Sequence, residues 1–293
     1  MILPVQEGKI NFHGYQTWYR RVGQPGGKTP LVCLHGGPGM THDYLEPLES
    51  LAQNEREVIF YDQLGCGNSD HPDDAGLWQI PLYVEELENL RIALDLPEIH
   101  LLGQSWGGFL AQEYLLRAQP KGVRSLVLSN SAASSWRWIA EAKRLRSELP
   151  AETRLVLDQH EAAGSLDHPA YLEATDVYYR RHLCRLQPWP ESLERTLQKL
   201  ETYPQVYHSM WGENEFTCSG VLKDWDIEAR LGEIQLPTLI LSGRFDESTP
   251  AINELFSRSI PGSRWVLFEN SSHTPMLEES QRYLEVLERF LDR

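Results

Sequence analysis

The chain has 293 residues, 41% of them apolar, and a formal charge of −15. That length and composition suffice to bury a full core, and the acidity argues against nucleic acid or an anionic membrane as partner, because polyanions require clustered Lys and Arg. Four cysteines, Cys33, Cys66, Cys184 and Cys218, show no CxxC spacing and are too sparse for a disulfide framework, so they are expected to be reduced.

The opening "MILPVQEGKINFHG" has no basic n-region and no long apolar h-region, and no later stretch nears the roughly 20 apolar residues of a membrane span. Cytoplasm is the expected location. "KINFHGYQTWYRR" alternates around His13-Gly14, which predicts an antiparallel hairpin at one sheet edge. The runs "TPLVCLHGG", "EVIFYDQ", "IHLLGQS", "SLVLSNS", "PTLILSG" and "RWVLFEN" are near-continuously apolar and β-branched, as buried parallel strands are. Between them "DYLEPLESLAQ", "YVEELENLRIAL" and "GFLAQEYLLRA" place apolar residues at helical spacing. Strands alternating with helices predict a doubly wound α/β sheet.

The rhythm stops after "SLVLSNSAASS". From 134 to 233 only helical segments follow, among them "SWRWIAEAKRLRSEL", "AETRLVLDQHEAAG" and "PESLERTLQKLETY", and the strand pattern resumes at "LPTLILSG". The expected organisation is a discontinuous core, 1–133 and 234–293, interrupted by a helical cap, 134–233.

"GQSWG", 103–107, fits a G-x-S-x-G elbow with a strand before it and a helix after it. The flanking glycines permit a tight turn that presents the Ser105 hydroxyl above the strand ends, and the helix start leaves the Trp106 N–H free to donate to an oxyanion. Serine is a poor nucleophile at neutral pH and needs a base and an orienting acid, in the chain order Ser, Asp, His for this fold. Asp246 follows the strand "LILSG" and His273 follows the strand "WVLFEN", which makes them the expected partners; His13, His42, His160 and His168 have no comparable context. The second oxyanion donor is expected from "HGGPG", 35–39, with Gly37 first and Gly36 second. No metal or organic cofactor is required by such chemistry.

The motifs "HGGPG" (35–39), "YDQLGCGNSD" (61–70), "GQSWGG" (103–108), "GENEFTCSGVLKDWD" (212–226), "GRFDESTP" (243–250) and "SSH" (271–273) resemble those of the proline iminopeptidase family of α/β-hydrolases, serine aminopeptidases that include the tricorn-interacting aminopeptidase. The likeness spans nearly the whole chain. It implies the α/β-hydrolase fold, with a mostly parallel sheet flanked by helices and an inserted cap. It also implies release of an N-terminal residue from short peptides, or hydrolysis of amino-acid amides and arylamides. Two carboxylates would grip the free α-amine: Glu215 from the cap and Glu247 from the core, with Glu213 as an alternative to Glu215. A buried ammonium needs such pairing. Trp211 and Phe216 are candidates to line an apolar pocket. Leu64 and Cys66 at variable positions, and Gln104 where Gly is commoner, leave the triad chemistry unaffected and the preference for proline open. Two rivals remain at this point: an esterase or carbon–carbon bond hydrolase with the same triad and no amine recognition, and a ligand-binding module that has lost catalysis.

Overall fold

The computed structural model describes residues 3–293; Met1 and Ile2, which begin the opening stretch and the first core segment, lie outside the described residues. The six apolar runs form the parallel body of an eight-stranded sheet. Its strands are β1 (Val5–Phe12), β2 (Tyr15–Val22), β3 (Lys28–Leu34), β4 (Arg56–Asp62), β5 (Ile99–Gln104), β6 (Val123–Ser129), β7 (Thr238–Gly243) and β8 (Arg264–Phe268). They run in the order β1-β2-β4-β3-β5-β6-β7-β8, with the β1–β2 and β2–β4 pairs antiparallel and all other neighbours parallel. The hairpin predicted around His13-Gly14 is the β1–β2 edge, where both turn residues have positive φ.

Alternate side chains of the strands feed two cores. Val32, Leu34, Ile59 and Leu101 point to one face, under helices α1 (Ile80–Ala93) and α2 (Trp106–Glu113). Leu31, Cys33, Val58 and Leu102 point to the other, where Tyr283 and Leu287 of the C-terminal helix close it. Burial of both faces is why these strands read as continuous apolar runs.

Two helical expectations are modified. "DYLEPLESLAQ" forms 3₁₀ turns over Asp43–Asn54 rather than an α-helix. Pro47 inside the segment has no N–H to donate and its ring crowds the preceding turn. "GFLAQEYLLRA" begins as α2 and then widens into a π-helical turn, Tyr114–Ala118.

After β6 the chain enters five consecutive helices, α3 (Ser135–Ser147), α4 (Ala151–Ala163), α5 (Pro169–His182), α6 (Glu191–Thr202) and α7 (Gln205–Met210). Leu145, Leu157, Tyr171 and Tyr178 give this insert a small core of its own. Its two ends are stitched together: Ser134 bridges Asp226, Ser135 N donates to Trp225 O at 2.9 Å, and Ile227 N donates to Ala133 O at 2.8 Å. Trp225 also stacks on Phe109 of α2, with ring centres 4.2 Å apart, and its indole donates to the buried Glu113. On the far side Lys199 and Arg195 of α6 meet the buried Asp43 carboxylate. The remaining helices, α8 (Pro250–Ser259), α9 (Pro275–Glu278) and α10 (Ser280–Leu291), flank β7 and β8. Among the described residues no helix is long and apolar enough to cross a membrane.

The turn from β5 into α2 admits no side chain at Gly107, where a Cβ would overlap the carbonyl oxygen of Leu34 and crowd that of His35. Both obstacles are backbone and cannot rotate away. Gly107→Ala is therefore expected to lower stability by about 1–3 kcal/mol, as overpacked sites do, read as a fall in the urea midpoint; an unchanged midpoint would mean the close approach is not needed.

Candidate active site

Ser105 has φ 55° and ψ −123°, a conformation that L-residues rarely adopt and that costs of order 1–3 kcal/mol. Its neighbours hold it there. Ser105 N donates to Ser129 O at 2.9 Å, and Ser105 O accepts from Gly108 N and from the Ser131 hydroxyl, each at 2.9 Å. The result is a largely buried serine at the start of α2, with its side chain on a cavity beneath the insert.

The backbone donors nearby are unequal. Gly36 N–H is already committed to the Tyr44 hydroxyl at 2.7 Å. Gly37, held at φ 111°, and Trp106 at the first position of α2 have N–H groups with no acceptor among the described residues, and both line the cavity. Gly37 is thus the free donor of the pair weighed from sequence. The loop carrying it is fixed by His35, whose Nε2 accepts from Gln63 N at 3.0 Å, while the Gln63 side chain accepts from the Trp106 indole at 2.8 Å. Burial drops the His35 imidazole to a pKa of about 4, so it stays neutral and can accept.

Asp246 and His273 come from the loops after β7 and β8. His273 Nδ1 is 2.7 Å from Asp246 Oδ1. The same carboxylate accepts from Ser248 N at 2.8 Å and from Asn130 Nδ2 at 2.5 Å. Burial lifts the Asp246 carboxyl above its ordinary range, against the pull of His273 and these donors. His273 is also buried, which disfavours its charge, yet Asp246, Glu247 and Glu215 together push it up to about 9. The insert helps to place it: His273 N donates to His182 O at 3.1 Å, and Trp138 of α3 presents an edge to the ring at 5.6 Å between centres.

The cavity has a volume of about 210 Å³. Ser105, Trp106, Gly37, His273, Glu247, Glu215 and Glu213 all reach it, together with Phe109, Trp138, Tyr207 and Trp211. Glu247 is almost fully buried and its Oε2 has no hydrogen-bond partner among the described residues. Burial and the Glu215 charge raise its carboxyl well above the usual range. Glu215 is half-buried and accepts from the Tyr207 hydroxyl at 2.5 Å, and burial raises it too. Glu213 lies at the exposed rim. No Lys or Arg lines the cavity among the described residues. Such a site can present a hydroxyl beside an imidazole, two N–H donors to a carbonyl oxygen, and two carboxylates to a cation.

The two aromatics weighed between pocket lining and cap packing divide: Trp211 lines the cavity, whereas Phe216 packs in the insert's own core against Tyr178, 4.9 Å between ring centres, under the Arg146 guanidinium. Two contributors, Asn130 and Tyr207, were not found from sequence. Asn130 has positive φ at the end of β6, where an Asn in a "SNS" turn is an ordinary sight. Tyr207 lies in a short helix whose pattern gives no hint of Glu215. His42, set aside from sequence, is buried and paired with Asp62 at 2.8 Å beneath the glycine-rich loop, away from the cavity.

The α/β-hydrolase fold family model matches residues 29–280. The chain is 42% identical to the proline iminopeptidase of Lactobacillus crispatus over 294 residues, covering 99% of each. Among solved structures it is similar to the proline iminopeptidase of Mycobacterium smegmatis, at TM-score 0.91 and 41% identity, and to VinJ, at TM-score 0.95 and 43% identity, with 98% of each chain covered in both cases.

Asp246→Asn would turn an acceptor into an amide able to donate to Nδ1, and so hold the proton on Nε2. The expected outcome is a fall in kcat of about 10⁴-fold with the fold retained, measured as turnover beside thermal unfolding; turnover near wild type would remove Asp246 from the site.

Proposed function

The chain belongs to the proline iminopeptidase family of α/β-hydrolases, and from that premise we propose that it is a serine aminopeptidase releasing N-terminal proline, and other apolar residues of similar size, from short peptides and from amino-acid amides or arylamides. The observation that carries this reading is the charge of the cavity. Three carboxylates, Glu213 at the rim and Glu215 and Glu247 deeper in, face a small cavity that no Lys or Arg lines among the described residues, and one carboxylate oxygen is buried without a partner. Burying an unpaired acid is unfavourable, so the arrangement is explained by a cation that arrives with the substrate. A primary α-ammonium or the secondary ammonium of an N-terminal proline supplies it.

In this mechanism Glu215 and Glu247 anchor the amine, which places the next carbonyl over Ser105. His273 Nε2 takes the Ser105 proton as Oγ attacks, and Asp246 stabilises the imidazolium. The N–H groups of Gly37 and Trp106 hold the oxyanion. His273 then protonates the departing amine, and water, deprotonated by the same imidazole, releases the amino acid. The cavity is smaller than the roughly 300–1,000 Å³ of sites for drug-sized ligands, which supports one residue at the acyl side and a short leaving group. The insert, 134–233, acts as the cap that closes this space.

An esterase or carbon–carbon bond hydrolase would use the same triad, but it gives no role to the unpartnered Glu247 oxygen. A cytoplasmic location fits four free thiols.

Ser105→Ala is expected to reduce turnover of a proline arylamide by about 10⁶-fold. Glu215→Gln is expected to cost about 1.5–3 kcal/mol in kcat/KM, or about 10- to 150-fold, the worth of a hydrogen bond to a charged group, while a substrate with a blocked amine loses little. Equal losses on both substrates would place Glu215 outside amine recognition.

A further inference from the structure

The imidazole of His273 lies between carboxylates on both of its nitrogens. Nδ1 is 2.7 Å from Asp246 Oδ1, and Nε2 is 3.7 Å from Glu247 Oε1. Among the described residues no hydrogen bond joins Nε2 to the Ser105 hydroxyl, although both groups line one cavity. The nitrogen that must accept a proton during the reaction therefore lies near a carboxylate, which favours keeping one.

We propose that Glu247 holds His273 in its protonated resting form through this Nε2 contact, and that the substrate's ammonium group, by drawing Glu247 onto itself, releases Nε2 to take the Ser105 proton. This rests on the aminopeptidase reading and extends it from binding to activation. Amine recognition then acts on the base as well as on position, so a substrate without a free amine meets an imidazolium that cannot serve as base.

The surrounding charges agree with this. Groups face the imidazole and Glu247 from each element packed against them: Asp246 on the same loop, Tyr178 and Tyr179 from α5, Tyr207 from α7, and Glu215 from the segment after α7. The His182 carbonyl accepts from the His273 backbone, and Trp138 offers a ring edge. None of these carries a positive charge, and among the described residues no Lys or Arg lines the space. Burial opposes the imidazolium, while Asp246, Glu247 and Glu215 favour it and push the His273 pKa up to about 9. A bound ammonium adds one positive charge beside the imidazolium and withdraws one carboxylate from it. Both effects lower that value, and the ammonium satisfies the unpartnered Glu247 Oε2.

The test is the rate at which a neutral fluorophosphonate labels Ser105, followed from neutral to alkaline pH with and without pyrrolidine, a cyclic ammonium that lacks a carbonyl. In labelling, the Oγ–P bond forms, the P–F bond breaks, fluoride leaves and the Oγ proton passes to His273 Nε2. Alone, wild type should show an inflection near 9. With saturating pyrrolidine, its occupancy established by competition against a proline arylamide, the inflection should fall by at least one pH unit, which raises labelling at neutral pH about tenfold. The nitrogen NMR titration of His273 should move by the same amount, a readout unaffected by any crowding of the reagent. In Glu247→Gln, labelling at neutral pH without pyrrolidine should exceed that of wild type, and pyrrolidine should no longer accelerate it. If pyrrolidine competes with substrate yet leaves both the inflection and the His273 titration unchanged, the inference is overturned while the aminopeptidase reading stands. If the protein neither binds pyrrolidine nor prefers free amines, both fall together.

Discussion

A carboxylate removed from water is unfavourable unless something positive or hydrogen-donating meets it, and this protein gathers three around one imidazole. Asp246 is satisfied three times over, by His273, Asn130 and Ser248. Glu215 has the Tyr207 hydroxyl, and Glu247 has Tyr178 and the edge of His273 near it but leaves Oε2 without a partner among the described residues. The gradient from satisfied to unsatisfied runs from Asp246 behind the imidazole to Glu247 on the cavity side. Asp246 and Glu247 are neighbours in sequence, and the loop after β7 sends one behind the imidazole and the other in front of it.

The rest of the architecture serves to bring that loop, the Ser105 elbow and the insert into register. Parallel strands deliver Ser105, Asp246 and His273 to the same sheet edge, where ligands bind in open α/β sheets. The strain at Ser105 is sustained by hydrogen bonds to the β6 end and by glycines that let α2 lie against the carbonyl of Leu34. The insert is anchored at both sides of the cavity, through Trp225 on Phe109 and through Asp43 with Lys199 and Arg195. It contributes Glu215 and Tyr207 directly and supports His273 through the His182 carbonyl. The site is therefore shared between the sheet and the insert.

The amino-acid sequence made the elbow and the candidate acid and base readable because each stands at a strand end, where an apolar run stops abruptly at a polar residue. It could not choose between Gly36 and Gly37. That choice depends on the Tyr44 hydroxyl, eight residues away, which occupies one N–H and leaves the other. Nor could the sequence divide Trp211 from Phe216, since either aromatic could line a pocket or fill the insert's core, and only the packing against α5 assigns Phe216 to the core. The 3₁₀ path of Asp43–Asn54 reflects a backbone preference of Pro47 overriding a helical apolar pattern. Asn130 and the approach of Glu247 to His273 are contacts between distant segments, and no local pattern announces them.

The central claim is that the two carboxylates exist to receive a free amine. It is tested most directly by kcat/KM of the wild-type protein on proline 4-nitroanilide and on the same compound with its nitrogen acetylated. Loss of a charged partner for a buried acid is worth about 2–5 kcal/mol, so the free amine should be preferred by roughly 30-fold or more. Equal turnover of the two would contradict the account, leaving a serine hydrolase of this fold whose acidic cavity serves some other end.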